Sequence, residues 1–555
     1  INVSLCKYDI VRSAAEKMDW IVDEDEDEFD VPQDFNDDEE HPKRDEWNVF
    51  WTDTSVSQQR VMRLKRFQKI NHFPGMHHLA RKGGLGRHLT NLAELFPSEF
   101  EFFPQTWVLP SQWQQFKDQI DSGKGNRTFI IKPDAACQGK GIFLTRSYDN
   151  VNPSESQVAQ RYLHKPLLVD GFKFDMRLYV VVTNVDPLRM FLYEEGLIRI
   201  CTEPYVEPKG KNLGQTCMHL TNYAINKYNN NFVYNQDSSS DGVGNKRSLA
   251  WFWRWLAEHH GDDAVEGLRE RIKDMAIKTL LSVQPVLAHT YRSCVQSDTG
   301  GGARDSIAGL SDPHKVTVSR CFEILGFDVL VDRMFKPWLI EINHSPSFAC
   351  DTPLDESIKS KLVEKTLALI NVGASDKRKA KARAKVEAQS RLYSRKSSNG
   401  SHQRKPGKQG SNTNPDAAEL SRLTRRELQQ TQDGTFERIY PPDEPTALHR
   451  YQMIGAAAHR HFDKRTCATV PRQRRGQRER CTAPPGSNHE TSSTLSAPEP
   501  ETKLAEPASQ ARVELTHFTP KHQHLQRHQH HQHQHPHLHQ QLHRTRQSSK
   551  LRVNR

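Results

Sequence analysis

The middle of the chain, about residues 47–370, has a pattern of apolar and polar positions that the flanking segments lack. Aromatic and apolar residues recur there in short runs that turn-forming residues separate, and low-complexity sequence is absent. A stretch of about 320 residues is long enough to bury a sizeable hydrophobic core. We therefore predict a folded region with more than one subdomain, with strands at residues 128–133 and 142–144.

A longer strand is predicted over residues 173–183, where apolar and polar side chains alternate with period 2. Lys173, Asp175 and Arg177 fall on one face, whereas Phe174 begins the apolar face that packs against a core. Three charges on one face of an apolar strand are costly to bury unless they meet a ligand or partners. The pattern alone does not distinguish between a ligand-binding face and a surface strand with a ladder of ion pairs.

Two apolar runs between residues 327 and 343 predict a β-hairpin with a four-residue loop. If Asp332 faces Pro337 at the turn, this register brings three oxygen donors together on one face, namely Asp328, Glu341 and Asn343. Mg²⁺ prefers such hard oxygen ligands, and unpaired buried carboxylates would otherwise be expensive. The hairpin therefore predicts a magnesium site.

A glycine-containing loop follows the strand that ends with Lys132 and Pro133. Gly139 and Gly141 allow backbone N–H groups to approach phosphates closely, and lysines add point charge. Taken alone, this pattern also fits an ordinary hairpin turn. Together with Arg177 and the predicted metal ligands it predicts a site for Mg-ATP, although the P-loop and protein-kinase motifs are absent from the sequence.

The flanking segments are charged or low in complexity. Residues 1–46 are predicted to be an acidic disordered segment. Residues 377–408 contain twelve Lys or Arg and one acid, a net charge of +11 that is close to the +10 of the whole chain. A helix is predicted over residues 416–433 between a proline start signal and a glycine stop signal. The Pro-, Gln- and His-rich residues 441–555 predict a disordered tail.

Composition narrows the class of protein. No apolar run approaches the ~18 residues of a membrane span, and no signal peptide is recognisable. Cysteines number nine and form no C-x-x-C pair, which predicts a reduced intracellular chain instead of a disulfide framework or zinc module. Because the first residue is Ile, we expect further residues upstream.

Several motifs in one order make residues 47–372 resemble the tubulin tyrosine ligase-like family of ATP-grasp ligases. The motifs are Trp47-Asn-Val-Phe-Trp-Thr-Asp53, Asn71-His-Phe-Pro-Gly75, Gln138-Gly-Lys-Gly-Ile142, Gln160-Arg-Tyr-Leu163, Lys173-Phe-Asp-Met-Arg177, His219-Leu-Thr-Asn-Tyr223 and Glu341-Ile-Asn-His-Ser-Pro-Ser-Phe348. With the basic stretch that follows, the chain is most similar to the polyglutamylase members, in particular to their chain-elongating branch.

This resemblance implies an α/β, ATP-grasp ligase core. It implies an N-terminal subdomain at residues 47–105, a central subdomain at 106–166, a catalytic subdomain at 167–372 and a basic, microtubule-binding extension at 373–440. It further implies an enzyme that uses ATP and Mg²⁺ to join L-glutamate, through an acylphosphate, to γ-carboxylates in the acidic tails of tubulin. The expected protein is a monomer on cytoskeletal or ciliary microtubules, without nucleic-acid or membrane partners.

The resemblance also implies roles for individual residues. ATP is expected at Lys132, Gln138, Gly139, Gln160, Arg161, Tyr162, Leu163, Lys173, Phe174, Asp175, Thr221 and Asn222. The incoming glutamate is expected at Arg199, Tyr223, Lys246 and Lys359, and acceptor choice at Gln138 and His344. The catalytic residues would be Arg177, Lys132 and Glu341, and the metal ligands Asp328, Glu341 and Asn343.

Three other functions remain open at this stage. A glycine or tyrosine ligase of the same fold is one, although the cationic residues Arg199, Lys246 and Lys359 favour glutamate. A non-catalytic microtubule-binding protein is another, which the intact set of metal ligands disfavours. A nucleic-acid binder would explain the basic charge, but the basic run lacks interleaved aromatic residues beyond Tyr393.

Overall fold

The structure, a computed structural model, describes residues 1–25, 47–123, 126–236, 241–295, 319–373, 375–396 and 425–469. All of them lie in the first of two units of the chain, residues 1–478. The strands are β1 (Asn2–Leu5), β2 (Val49–Thr52), β3 (Lys69–Ile70), β4 (Thr106–Leu109), β5 (Phe129–Pro133), β6 (Phe143–Thr145), β7 (Gln157–Arg161), β8 (Leu168–Val169), β9 (Phe172–Val185), β10 (Leu188–Ile200), β11 (Lys246–Ser248), β12 (Glu323–Val331), β13 (Pro337–Asn343) and β14 (Phe436–Tyr440). The helices are α1 (Asp9–Lys17), α2 (Gln58–Arg63), α3 (His77–Ala80), α4 (Lys82–Leu95), α5 (Trp113–Ser122), α6 (Thr216–His219), α7 (Tyr223–Asn226), α8 (Leu249–His260), α9 (Asp262–Val295), α10 (Pro353–Leu369), α11 (Asp376–Lys396), α12 (425–431) and α13 (Pro445–Thr469).

A seven-stranded sheet forms the centre of the mixed α/β fold. Its main path is β11-β10-β9-β12-β13, with β14 also paired to β10 and β8 paired to β9. The long strands β9 and β10 are antiparallel, and β12 and β13 form the hairpin predicted from the sequence. Alternate side chains of β9 enter a core that α8 and α9 cover. On the opposite face, the charged residues lie near the start of the strand, whereas Tyr179 and Val181 enter a second core cluster.

A second, four-stranded antiparallel sheet has the order β4-β7-β5-β6. Its strands all lie between residues 106 and 161, within the limits predicted for the central subdomain. Trp107, Phe116 and Phe129 pack together between this sheet and α5, and all three are buried. Lys132, near the end of β5, is thereby held on a rigid strand.

The N-terminal residues differ from the prediction of a disordered segment over residues 1–46. The strand β1 pairs in parallel with β2, which in turn pairs with β3. Buried side chains of α1, among them Val11 and Ala15, share a core cluster with residues of α10. Residues 1–25 are therefore folded, whereas residues 26–46, with most of the acidic run, lie outside the described residues.

The region after residue 434 also differs from the prediction. The strand β14 extends the seven-stranded sheet along β10, although the sequence placed it in a separate basic extension. Residues 445–469 form the long helix α13 instead of the start of a disordered tail, and Tyr451, Ile454 and Ala458 enter the main core. Residues 470–555, with the histidine-rich tract, lie outside the described residues.

The hairpin register is predicted correctly at the predicted metal ligands and wrongly at the turn. Asp328 does lie opposite Glu341, but Pro337 faces Val331 and not Asp332. A register shift between Asp328 and Val329 absorbs the difference of one residue. Of the helix predicted over residues 416–433, the structure describes residues 425–431 as α12, and residues 416–424 lie outside the described residues. Gly434 follows the helix with φ +75°. None of the helices in the described ranges is long and apolar enough to cross a membrane.

Candidate active site

A cleft between the two larger sheets brings together most of the residues predicted to bind ATP. It contains about 630 Å³ of space, part of it open to solvent. The predicted residues that line it are Lys132, Gln160, Arg161, Tyr162, Leu163, Lys173, Asp175, Thr221, Asn222, Asp328 and Glu341. Sequence reasoning did not assign its apolar wall, which includes Ile130, Ile142, Leu330 and Ile340, because short apolar runs give no sign of which residue faces a cleft.

Two buried lysines in this cleft have only neutral hydrogen-bond partners. Lys132 Nζ donates to Gln160 Oε1 at 2.8 Å, and Lys173 Nζ donates to Tyr162 Oη at 3.0 Å and to the His219 carbonyl at 2.7 Å. Neither ammonium lies within ion-pair distance of a carboxylate in the described part of the chain. Burial lowers the pKa of each lysine to about 8. Such cations attract a polyanion that can replace their lost hydration.

A line of hydrogen bonds fixes the orientation of Lys173. Because the lysine donates to Tyr162 Oη, the Tyr162 hydroxyl donates to His219 Nδ1 at 3.0 Å. His219 Nε2 then donates to the Asn212 carbonyl at 3.0 Å, which fixes the imidazole tautomer. Burial lowers the pKa of His219 to about 4, so the ring stays neutral beside the lysine.

Opposite charges alternate across the polar face of the seven-stranded sheet. The register pairs Arg199 with Asp175, and Arg177 with Asp328. Arg199 donates to both Asp175 oxygens at 2.7 and 2.6 Å, and its Nη2 lies 3.0 Å from Asp328 Oδ2. Arg177 Nε donates to Asp328 Oδ1 at 2.6 Å, and Thr221 Oγ1 donates to Asp175 Oδ2 at 2.6 Å. The charged face of β9 thus has internal partners and also borders the cleft.

The three predicted metal ligands lie together at the end of the β12–β13 hairpin. Asp328 and Glu341 lie opposite each other on the two strands, and Asn343 Nδ2 is 3.4 Å from Asp328 Oδ2. Burial and the Asp328 charge raise the pKa of Glu341, whereas Arg177 and Arg199 overcome burial and lower the pKa of Asp328. The described residues contain no cluster of three or more His, Cys, Asp or Glu suited to a metal. Two adjacent carboxylates and an amide oxygen nevertheless fit Mg²⁺, which completes its shell with water or phosphate oxygens.

Gln138 and Gly139, which were expected to bind ATP, lie in the loop between β5 and β6, outside the cleft wall. Gln138 has φ +60° and Gly139 has φ +77°, the left-handed conformation that favours glycine. A Cβ at Gly139 would lie 2.5 Å from Ile225 Cδ1, so the loop packs closely against α7. Lys82 Nζ donates to the Ala136 carbonyl at 2.8 Å and lies 3.7 Å from Glu341 Oε2, which links the loop to the predicted metal ligands. Sequence reasoning did not find Lys82.

Phe174 is placed differently from its predicted role at the nucleotide. Strand alternation turns its side chain to the apolar face of β9, where its ring centroid lies 5.2 Å from that of Phe252. The neighbouring Lys173 and Asp175 line the cleft on the opposite face. The Phe174 side chain therefore belongs to the core, as the period of the strand alone would indicate.

The residues predicted to bind glutamate lie beside this charged face. Lys246 Nζ is 2.6 Å from Asp355 Oδ2, and Lys359 Nζ is 2.8 Å from Asp355 Oδ1. Lys246 is the cross-strand neighbour of Arg199, and its Nζ lies 3.9 Å from the Tyr223 ring centroid. One fully buried carboxylate thus holds two lysines. Asp355 was not predicted from the sequence, although its i,i+4 spacing to Lys359 on a helix indicates such an ion pair.

His344 lines a second pocket, separate from the cleft. The ring Nε2 is 2.6 Å from Ser55 Oγ, and the centroids of the His344 and His72 rings are 6.0 Å apart. Burial, with smaller contributions from His72 and His77, lowers the pKa of His344 to about 4. The imidazole is therefore neutral near pH 7. Gln138, the other residue predicted for acceptor choice, lies outside this pocket.

Comparison with known proteins agrees with this architecture. The model of the tubulin-tyrosine ligase family matches residues 59–300 and 303–380. The chain is 43% identical to tubulin polyglutamylase TTLL13 of Mus musculus over 80% of this chain and 49% of that protein. It is 45% identical to tubulin polyglutamylase TTLL6 of Mus musculus over 68% and 41%, and 39% identical to a probable beta-tubulin polyglutamylase of Tetrahymena thermophila over 85% and 36%.

A fold with two sheets around a charged cleft is thus accompanied by a family match over more than half of the chain. The protein belongs to the tubulin-tyrosine ligase family. It spans about half the length, or less, of the curated relatives it matches.

Proposed function

We propose that this chain is an ATP-grasp ligase that adds L-glutamate to γ-carboxylates of glutamates in the C-terminal tails of tubulin. One observation carries the proposal. Two buried lysines without carboxylate partners share a cleft with two adjacent carboxylates and an apolar wall, the arrangement that an Mg-nucleotide would complete. The names of the relatives, which are tubulin polyglutamylases, support the substrate.

In this proposal Lys132 and Lys173 bind the phosphates of ATP. The Gln160 side chain already accepts from Lys132, so backbone groups of residues 161–163 are the proposed partners of the adenine edge. Asp328, Glu341 and Asn343 would hold Mg²⁺, which supplies positive charge next to the phosphate oxygens when bound. Arg177 keeps Asp328 oriented through two hydrogen bonds, and its guanidinium is the proposed source of positive charge for phosphoryl transfer.

The proposed reaction has two steps. The γ-phosphoryl group of ATP passes to the acceptor γ-carboxylate, and ADP leaves. The amine of L-glutamate then attacks the acyl carbon, phosphate departs and one proton is released. The protein supplies position and charge, and none of its side chains becomes covalently modified.

The choice of glutamate rests on the cations beside Tyr223. Lys246 and Lys359 share the single charge of Asp355, so one positive charge of this pair is left for an incoming carboxylate. Glutamate brings a side-chain carboxylate that can meet this charge, in addition to the α-carboxylate that glycine and tyrosine donors also carry. We propose that His344, next to the ligand Asn343, favours acceptors that already carry a branch glutamate, and hence chain elongation.

The basic helix α11 is the proposed contact with microtubules. Lysine and arginine residues occupy much of its first half, and most of those whose side chains the structure describes are exposed. A basic surface attracts an acidic polymer over roughly a Debye length, which is about 10 Å at 0.1 M salt. The expected location is therefore the cytoskeleton, including microtubules of cilia and basal bodies.

ADP release in the presence of a tubulin-tail peptide tests the proposal. The parent chain should release ADP when L-glutamate is added and much less with glycine or tyrosine. Glu341→Gln, which removes one charge from the metal ligands, should reduce release at least a hundredfold (~3 kcal/mol) at saturating Mg²⁺. Equal release with all three amino acids, or near-normal turnover of Glu341→Gln, would contradict it.

A further inference from the structure

A segment beside the cleft holds large aromatic side chains at the protein surface. It comprises residues 223–236, called the aromatic segment here, and it begins directly after Asn222, which lines the cleft. Tyr228 is 80% exposed and Tyr234 is 46% exposed. Exposed tyrosine rings are suited to contact a partner, because covering their apolar surface is favourable.

The backbone of this segment is anchored, although its rings point outwards. The side-chain amides of Asn229 and Asn231 both donate to Glu203 Oε1, at 3.1 and 3.2 Å. Val233 N donates to Asn245 Oδ1 at 2.8 Å, and the Val233 carbonyl accepts from Asn245 N at 3.1 Å. The aromatic side chains are therefore presented by an ordered backbone, which reduces the entropy lost when a partner binds.

The aromatic segment also positions a cation. Lys227 Nζ lies 5.3 Å from the Tyr223 ring centroid and 5.2 Å from that of Tyr228. Among the described residues it forms no ion pair with a carboxylate. Phe232 extends the ring cluster, with its centroid 5.7 Å from Tyr223 and 4.7 Å from Tyr234. Phenol hydroxyl groups and an ammonium are all hydrogen-bond donors towards carboxylates.

We propose that the aromatic segment is the docking surface for the acidic acceptor polypeptide, where it binds the residues that flank the acceptor glutamate. The inference rests on the proposed function and adds a partner surface to it. The hydrogen-bond donors support this occupant, since the Lys227 ammonium and the hydroxyl groups of Tyr228 and Tyr234 can all donate to carboxylates of glutamate-rich sequence. Continuity also supports it, because the segment runs from the cleft residue Asn222 to Tyr223, which Lys246 Nζ contacts at 3.9 Å.

Binding of a fluorescently labelled, glutamate-rich tubulin-tail peptide to the full chain tests the surface without nucleotide. Tyr228→Ser combined with Tyr234→Ser should raise the peptide Kd by about tenfold, from two lost aromatic contacts. Lys227→Gln should raise it less and should flatten its dependence on salt. The control is Met453→Ser, a residue 54% exposed on α13, which should bind like the parent.

A peptide Kd in the tyrosine variant equal to that of the parent would overturn the docking surface, and so would an equal increase in the Met453→Ser control. The KM for ATP should stay unchanged in the tyrosine variant, because the rings lie outside the nucleotide cleft. Glutamate ligation by the parent is measured separately. Failure of ligation alone would count against the proposed function, whereas unchanged peptide binding counts against the aromatic segment.

Discussion

Replacing Lys173 with methionine should stabilise the unliganded protein while it removes nucleotide binding. The Lys173 ammonium is buried on β9, and its hydrogen bonds go to a tyrosine hydroxyl and a backbone carbonyl. Burial lowers its pKa from 10.5 to about 8. At about 1.4 kcal/mol per tenfold change in the proton-binding constant, the charged lysine costs about 3 kcal/mol of folding free energy.

The pH at which this cost acts follows from the two pKa values. Below pH 8 Lys173 is protonated in the folded and the unfolded chain, so the full cost is present. Between pH 8 and 10.5 the folded form releases its proton first, and the cost disappears as pH rises. Methionine removes the cost at neutral pH but also removes two hydrogen bonds worth about 1 kcal/mol each. The net gain expected at pH 7 is about 1 kcal/mol.

Urea unfolding of the nucleotide-free chain at pH 7 and pH 10 measures this effect. Lys173→Met should exceed the parent at pH 7, and its advantage should shrink at pH 10. Lys381→Met, at an exposed position on α11, is the matched control and should show no such pH dependence. Binding of an ATP analogue should be lost only in Lys173→Met. A loss of stability at pH 7 in Lys173→Met would refute the view that this lysine is an uncompensated cation kept for a phosphate.

Three further predictions concern the loop between β5 and β6, the basic helix and the acceptor side. Gly139→Ala should raise the KM for ATP about tenfold, since its Cβ would lie 2.5 Å from Ile225 Cδ1. Adding Ile225→Ala should restore only part of the lost ATP affinity, because an alanine at φ +77° remains strained. Neutralising six basic residues of α11 should weaken microtubule binding more than turnover on a short tail peptide, and equal losses would contradict the proposed microtubule contact. The six residues are Lys377, Arg378, Lys379, Lys381, Arg383 and Lys385. His344→Ile should lower the ratio of rates on a singly branched and an unmodified peptide, and an unchanged ratio would exclude His344 from acceptor choice.

The parts of the site that lie on regular strands could be predicted from the sequence. Period-2 alternation placed Lys173, Asp175 and Arg177 on one face, and the hairpin placed Asp328 opposite Glu341. The turn of that hairpin could not be predicted, because a register shift is a backbone adjustment that leaves no mark in an apolar pattern. Ion pairs across strands could not be predicted either, because their partners depend on the register between segments that are distant in sequence.

The folded ends of the chain were missed for different reasons. The strand β1 has four residues and pairs with β2, which lies more than forty residues further along the chain. No local sequence pattern therefore predicts this strand. The helix α13 did carry a signal, because Tyr451, Ile454 and Ala458 recur at i, i+3 and i+7 and enter the core. The polar composition of the tail as a whole outweighed this local periodicity.

Mass spectrometry of tubulin tails after incubation with the chain, ATP, Mg²⁺ and one amino acid at a time tests the central claim most directly. With L-glutamate the account predicts tail peptides that are heavier by successive glutamate residues, each attached to a glutamate side chain. The same masses should be absent without ATP and in Glu341→Gln. Unmodified tails with glutamate, or equal addition of glycine or tyrosine, would contradict the account.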